Sequence, residues 1–352
     1  PACPLSSGEG NYRDICQNRR SNIWFYPEAG DAEIRMFVNL LSADGYNPLS
    51  IQGYRWTLPE SIDAESLCPA CDAEARAAFI KLVRHPFLPG QLLSWANFYA
   101  IQIPDRLRWL HDFLGRCNTR LMACGHEGGY WIDHWTYIID LMEAYTAVYP
   151  DRIEQMLTQK ADIEWFFEPA QVLPRKQKYL RRKNGPLQLN AVTNTTVMPV
   201  PLPPVTVLGK LCALLAVKAV SLDYEGRGIE MEAGRPGWND AMNGLPGLFG
   251  SSTCETAEAL RLARWLLDTL PQMPDTMFPE EAAALLDAVA DDLKKEYDWD
   301  RSATIRETFR QKIYNNNSDK IRLISGHSIR NLLKAAAARF ERGVNESIDP
   351  DT

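Results

Sequence analysis

Positive charge is in short supply in this chain: 38 lysines and arginines face 45 aspartates and glutamates, a formal net charge of −7 over 352 residues. No global positive field is available to hold nucleic acid or an anionic lipid surface, so neither is an expected partner. Cysteine is scarce too. Eight cysteines at irregular spacing form no disulfide framework, which points to a reducing compartment, the cytoplasm. Cys68-Pro69-Ala70-Cys71 is the one close pair, and Cys117, Cys124 and His126 follow it at no zinc-binding spacing, so no metal site is expected. No uninterrupted apolar run reaches the ~18 residues of a membrane helix, and no basic-then-apolar leader follows Pro1.

What remains is an ordinary globular composition, 45% hydrophobic and 24% charged, long enough for a large core. Strand signals are thin, and most of the periodic sequence has helical spacing. Ile34, Phe37, Val38 and Leu41 form one stripe between an Asp31 cap and an Asp44-Gly45 stop. Further helices are predicted near 72–84, 92–116, 131–148, 151–160, 207–221, 253–270, 279–297, 301–313 and 328–342. Ser252-x-x-Glu255 reads as a capping box, in which the serine accepts from a backbone N–H and the glutamate reaches back. Two stretches break the pattern: the basic run Arg175 to Lys183, and Asn184 to Thr206 with its five prolines, together a non-helical excursion near 175–206. Many helices of hairpin length joined by loops rich in Trp, Tyr and Gly predict an all-α toroid over residues 1–352, with functional residues on the loops at one end.

Three segments concentrate the residue types that sugar chemistry needs. Gly10 to Arg20 places Arg13, Asp14, Gln17 and Asn18 close together, a dense set of directional hydrogen-bonding groups suited to hydroxyls. Gly128 to Tyr137 sets Trp131, Asp133, His134 and Trp135 in a row, where aromatics could stack on pyranose faces beside a carboxylate and an imidazole. A buried aromatic cluster at a helix start is the alternative. Glu230 to Gly244 carries Arg235, Trp238, Asn239 and Asp240 in a glycine-rich loop. A carboxyl group against an indole wall loses solvation, which raises its pKa and keeps it protonated as a general acid; a turn capped by Asn and Asp is the alternative.

With these strings in view, the chain resembles the inverting glycoside phosphorylases of the cellobiose phosphorylase type, glycoside hydrolase family 94. Asn11-Tyr12-Arg13-Asp14, Gln17-Asn18-Arg19-Arg20, Asp44-Gly45-Tyr46-Asn47-Pro48-Leu49 and Gly244-Leu245-Pro246-Gly247-Leu248-Phe249-Gly250 are more similar still to the β-1,3-glucan phosphorylases of families 149 and 161. The resemblance implies an (α/α)6 catalytic toroid and phosphorolysis of a β-glucosidic bond with inversion, giving α-glucose 1-phosphate. It implies Asp240 as the general acid, Arg13 and Asp14 as the pair gripping the donor sugar, and Asp133 as the acidic position of a second sugar-binding loop. Gln17, Asn18, Trp131, His134, Trp238 and Asn239 are the other expected sugar contacts. Inorganic phosphate is then the co-substrate and no other cofactor is expected. Arg235 and Ser251 are the candidates to hold phosphate, with Arg19, Arg20 and the N–H groups of the helix after Gly250 as alternatives.

Members of the family carry a β-sandwich before the toroid and phosphate-binding loops after it, so Pro1 to Thr352 is expected to be a partial catalytic domain. A homodimer is a possible assembly. Two rival readings stand beside this one. An inverting hydrolase would use Asp133 or Glu230 as the base opposite Asp240. A glucan-binding fragment would bind sugar without turnover.

Overall fold

The protein is described by a computed structural model that covers residues 10–124, 132–167, 170–188, 192–194, 200–231, 250–315 and 318–348. These residues are mostly helical, and no helix among them is long and apolar enough to cross a membrane. The chain divides into two compact units: Gly10–Ser50 with Cys124–Thr352, and the smaller Ile51–Ala123.

In the larger unit, helix α1 spans Tyr12–Arg19 and α2 spans Ala32–Asn39. The Asn11 side chain caps α1 by accepting the Arg13 N–H at 2.9 Å. Tyr12 and Cys16, one turn apart, point into the core, while Asp14 and Asn18 face solvent. In α2 the expected stripe is buried, but Asp31 makes no side-chain cap; its carboxylate lies 3.4 Å from Arg35. The helix stops at Asn39, ahead of the Asp44-Gly45 turn.

The Ile51–Ala123 unit joins neighbouring strands Ser50–Thr57 and Asn118–Cys124 to helices α3 (Ala73–Arg84), α4 (Pro89–Phe98) and α5 (Arg106–Leu114). Asp72 caps α3 by accepting from the Ala75 N–H at 2.8 Å. The single helix expected over 92–116 is two. Ala100 adopts a positive φ of 51° just beyond α4, and Asp105, after Pro104, caps a fresh start by accepting from the Arg108 N–H. The core is aromatic: Phe79 packs against Trp95 and Phe113 with ring centroids 5.0 and 5.5 Å away. Cys68 and Cys71 bring their sulfurs to 3.5 Å, and burial pushes the Cys68 thiol up to about 12.

The larger unit continues with α6 (Tyr137–Val148), α7 (Ile153–Thr158), α8 (Val207–Ala219), α9 (Thr253–Thr269), α10 (Glu280–Leu293), α11 (Trp299–Asn315) and α12 (Gly326–Glu346). Every residue of α8 is buried. A helix buried on all sides belongs at the centre of its layer, and α2, α7, α9, α10 and α12 pack around it. The basic run is folded in by its first residue, since Arg175 bonds Glu307 and Thr304 on α11. This region also forms two antiparallel pairs, Tyr179–Arg182 with Gly185–Gln188 and Ala170–Val172 with Val192–Asn194.

Candidate functional site

Helix α1 packs on α6, and this brings together two segments more than a hundred residues apart in sequence. Arg13 comes from the first turn of α1, and its Nε donates to Asp14 Oδ1 at 3.0 Å. Asp133 and His134 lead into α6 through a short 3-10 turn, His134–Thr136, with His134 Nε2 3.7 Å from Asp133 Oδ1. The two segments share one electrostatic neighbourhood. Burial, and after it the Arg13 guanidinium, pushes His134 down to about 3, so the imidazole is neutral near pH 7. Tyr137 is raised first by burial, and the charges of Arg13, Asp133, Asp140 and Asp14 all reach it. Gln17, one turn beyond Arg13, is half-buried; Asn18 is exposed beside Asp14.

Behind this cluster lies a buried trio that the sequence reading missed. Glu255 Oε1 accepts from the Lys218 ammonium at 2.6 Å and from the Trp135 indole at 2.7 Å. The same ammonium donates to the Ile132 carbonyl at 2.8 Å and lies 5.6 Å from the Trp135 ring. Backbone and side chain on either side of Asp133 and His134 are thereby tied to α8 and α9. Burial pushes the Glu255 carboxyl up to about 6 against the pull of Lys218. Half of the expected capping box is also corrected: Ser252 Oγ accepts the Glu255 N–H at 3.1 Å, but the glutamate is drawn inward by Lys218 and does not reach back. The available signal was a lysine within the apolar run Val207–Ala219, a place where a charge requires a partner.

The remaining candidates separate. Asp240, Trp238, Asn239, Arg235 and Trp131 lie outside the described residues. Ser251 is exposed and its hydroxyl donates to Asp223 Oδ2 at 2.6 Å, a carboxylate that would repel phosphate. Arg19 lies 3.4 Å from Glu33 and Arg20 3.6 Å from Asp140, so both guanidiniums are already matched with carboxylates. Glu230 has both oxygens engaged, one by the Trp299 indole at 2.7 Å and one by Arg306 at 2.8 Å. Among the described residues, no group of three or more His, Cys, Asp and Glu is placed to hold a metal ion.

Compared with models of known protein families and with curated protein sequences, the chain matches none.

Proposed function

We propose that this protein is an inverting glycoside phosphorylase, which transfers a β-linked glucosyl unit of an oligoglucan to inorganic phosphate and releases α-glucose 1-phosphate. The observation that carries the reading is the packing of α1, which bears Arg13 and Asp14, on α6, which Asp133 and His134 lead into, next to the buried Lys218–Glu255 pair. A charged fork, two carboxylates and a neutral imidazole offer donors and acceptors to adjacent sugar hydroxyls. Gln17 and Asn18 extend that set along α1, and Trp131 would add a stacking face. His134, buried and uncharged, places no positive charge against the one that develops on the sugar ring.

In this reaction Asp240, between Trp238 and Asn239 and the rest of its loop, gives its proton to the glycosidic oxygen as the bond from that oxygen to the anomeric carbon breaks. Phosphate attacks the same carbon from the opposite face, and its oxygen forms the new bond with inversion. Phosphate arrives as an anion, so no second carboxylate is required as a base. The engagement of both Glu230 oxygens favours phosphorolysis over hydrolysis with that residue as base. Arg235 is the better phosphate ligand, because Ser251 already serves Asp223. In this reading the helices form an (α/α)6 toroid that works in the cytoplasm with phosphate as its only co-substrate.

Incubation of the complete protein with a β-glucan oligosaccharide, with and without phosphate, followed by NMR of the products tests it. Phosphate-dependent α-glucose 1-phosphate is expected. Phosphate-independent release of free glucose would replace this reading with hydrolysis.

A further inference from the structure

Apart from the Arg13–Asp133 cluster, the larger unit contains a cavity of about 320 Å³ beside α11. Small-ligand pockets begin near this size, at about 300 Å³. Its lining includes Arg310, which is only 3% exposed. The Asp44-Gly45-Tyr46 turn builds this position. Gly45 takes a left-handed φ of 84°, and the turn is closed by Ser42, whose N–H donates to the Tyr46 carbonyl at 2.8 Å and whose hydroxyl donates to Asp44 at 2.6 Å. Arg310 in turn donates to the Tyr46 hydroxyl, and the Tyr314 hydroxyl donates to Asp44.

Each arginine beside the cavity is matched with a carboxylate of the chain. Arg310 lies 3.9 Å from Asp44, and Glu307 accepts from the Arg175 backbone at 2.6 Å and from its guanidinium at 3.0 Å. A free anion therefore meets no uncompensated positive charge. What the cavity does offer is uncharged: the carboxamides of Gln171, Gln177 and Gln311 line it, and none has a hydrogen-bond partner among the described residues. Each supplies both donors and an acceptor. Val172, Leu173 and Pro174 add an apolar wall. Hydroxyl-matching amides beside a short apolar surface suit a ring with hydroxyls on its rim and C–H bonds on its faces. Val172 also shares one apolar cluster with Tyr46 and Ile132, the residue preceding Asp133, so the cavity adjoins the segment that carries the first cluster.

We propose that this cavity is a second carbohydrate-binding site, taking one neutral hexose ring of an oligosaccharide, with Gln171, Gln177 and Gln311 reading its hydroxyls above the buried Arg310. The proposal concerns binding alone and does not depend on the catalytic reading. Its test is calorimetric titration of laminaritriose and cellotriose into the Arg13→Ala protein, where sugar binding at the first cluster is weakened by loss of its charged donor. Saturable binding of at least one of the two is expected. Adding Gln177→Leu and Gln311→Leu, both at exposed positions, should weaken it about tenfold, the effect of two neutral hydrogen bonds. Thr193→Trp, which fills the cavity instead of removing a hydrogen bond, should produce at least the same loss. Displacement of the sugar by inorganic phosphate, unchanged affinity in these variants, or absence of sugar binding would each overturn the proposal. Glucose 1-phosphate release by the otherwise unchanged protein reports separately on the catalytic reading.

Discussion

Among the described residues, the buried polar and charged side chains, from Ser42 to Arg339, all belong to the larger unit; the Ile51–Ala123 unit buries none. The small unit is held by aromatic and aliphatic contacts around Phe79, Trp95 and Phe113, whose strength does not change with protonation. The larger unit buries Lys218 with Glu255 and Arg339 with Asp292, the second pair at 2.6 Å. Removing ions from water opposes folding, and their mutual attraction offsets that only when the geometry is good. Buried ion pairs are therefore a weak source of stability, and their value here lies in fixing position. Lys218 and Glu255 hold Ile132 and Trp135, and with them the loop of Asp133 and His134.

The contrast is sharpest if one partner is removed. Glu255→Ala should destabilise the larger unit by about 3–5 kcal/mol in denaturant unfolding, because Lys218 is left as an uncompensated buried charge. The double variant Lys218→Met/Glu255→Leu should recover most of that loss. Equal losses in the single and double variants would mean that the charges matter only for packing. In the small unit, Leu92→Ala should cost about 2–5 kcal/mol through cavity formation, with the same loss at about pH 5 and about pH 8. A loss that varied with pH would break the comparison.

A more gradual effect comes from His134, held near 3 in the folded protein against an ordinary 6.5. The unfolded chain binds this proton more tightly, so its contribution to stability is present above 6.5 and is lost as pH falls through that window toward 3. The loss is up to about 1.4 kcal/mol per pH unit. Glu255 acts oppositely: its carboxyl is raised from 4.5 to about 6, so it favours the folded state increasingly as pH falls from 6 to 4.5. Melting curves of His134→Gln should accordingly lose less stability on acidification than the parent protein. Parallel pH profiles for the two would remove His134 from the account.

Local sequence carried some of this and not the rest. Helices α3 and α9 were legible from their apolar spacing, and for α9 also from the Ser252 cap, whose oxygen does accept the Glu255 N–H. The break between α4 and α5 was not, because the apolar spacing runs on across Ala100 and Pro104 while the backbone does not. Strands Ser50–Thr57 and Asn118–Cys124 have their partners some sixty residues away, where no local pattern announces them. At the site, the polar strings around Arg13 and Asp133 were readable as strings. Their support was not: Lys218 and Glu255 acquire their role by meeting across 37 positions, and nothing beside either residue names the other.

The proposed phosphorolysis rests on Asp240 as its acid. Asp240→Asn keeps the shape of the side chain but has no proton to give, and loss of a general acid lowers turnover about 10²–10⁴-fold. The most direct measurement is phosphate-dependent release of α-glucose 1-phosphate from an unactivated β-glucan oligosaccharide by the parent protein and by this variant. The account predicts release by the complete protein and a fall of that size in its Asp240→Asn variant, with binding of the sugar retained. Turnover by Asp240→Asn close to that of the parent would contradict it.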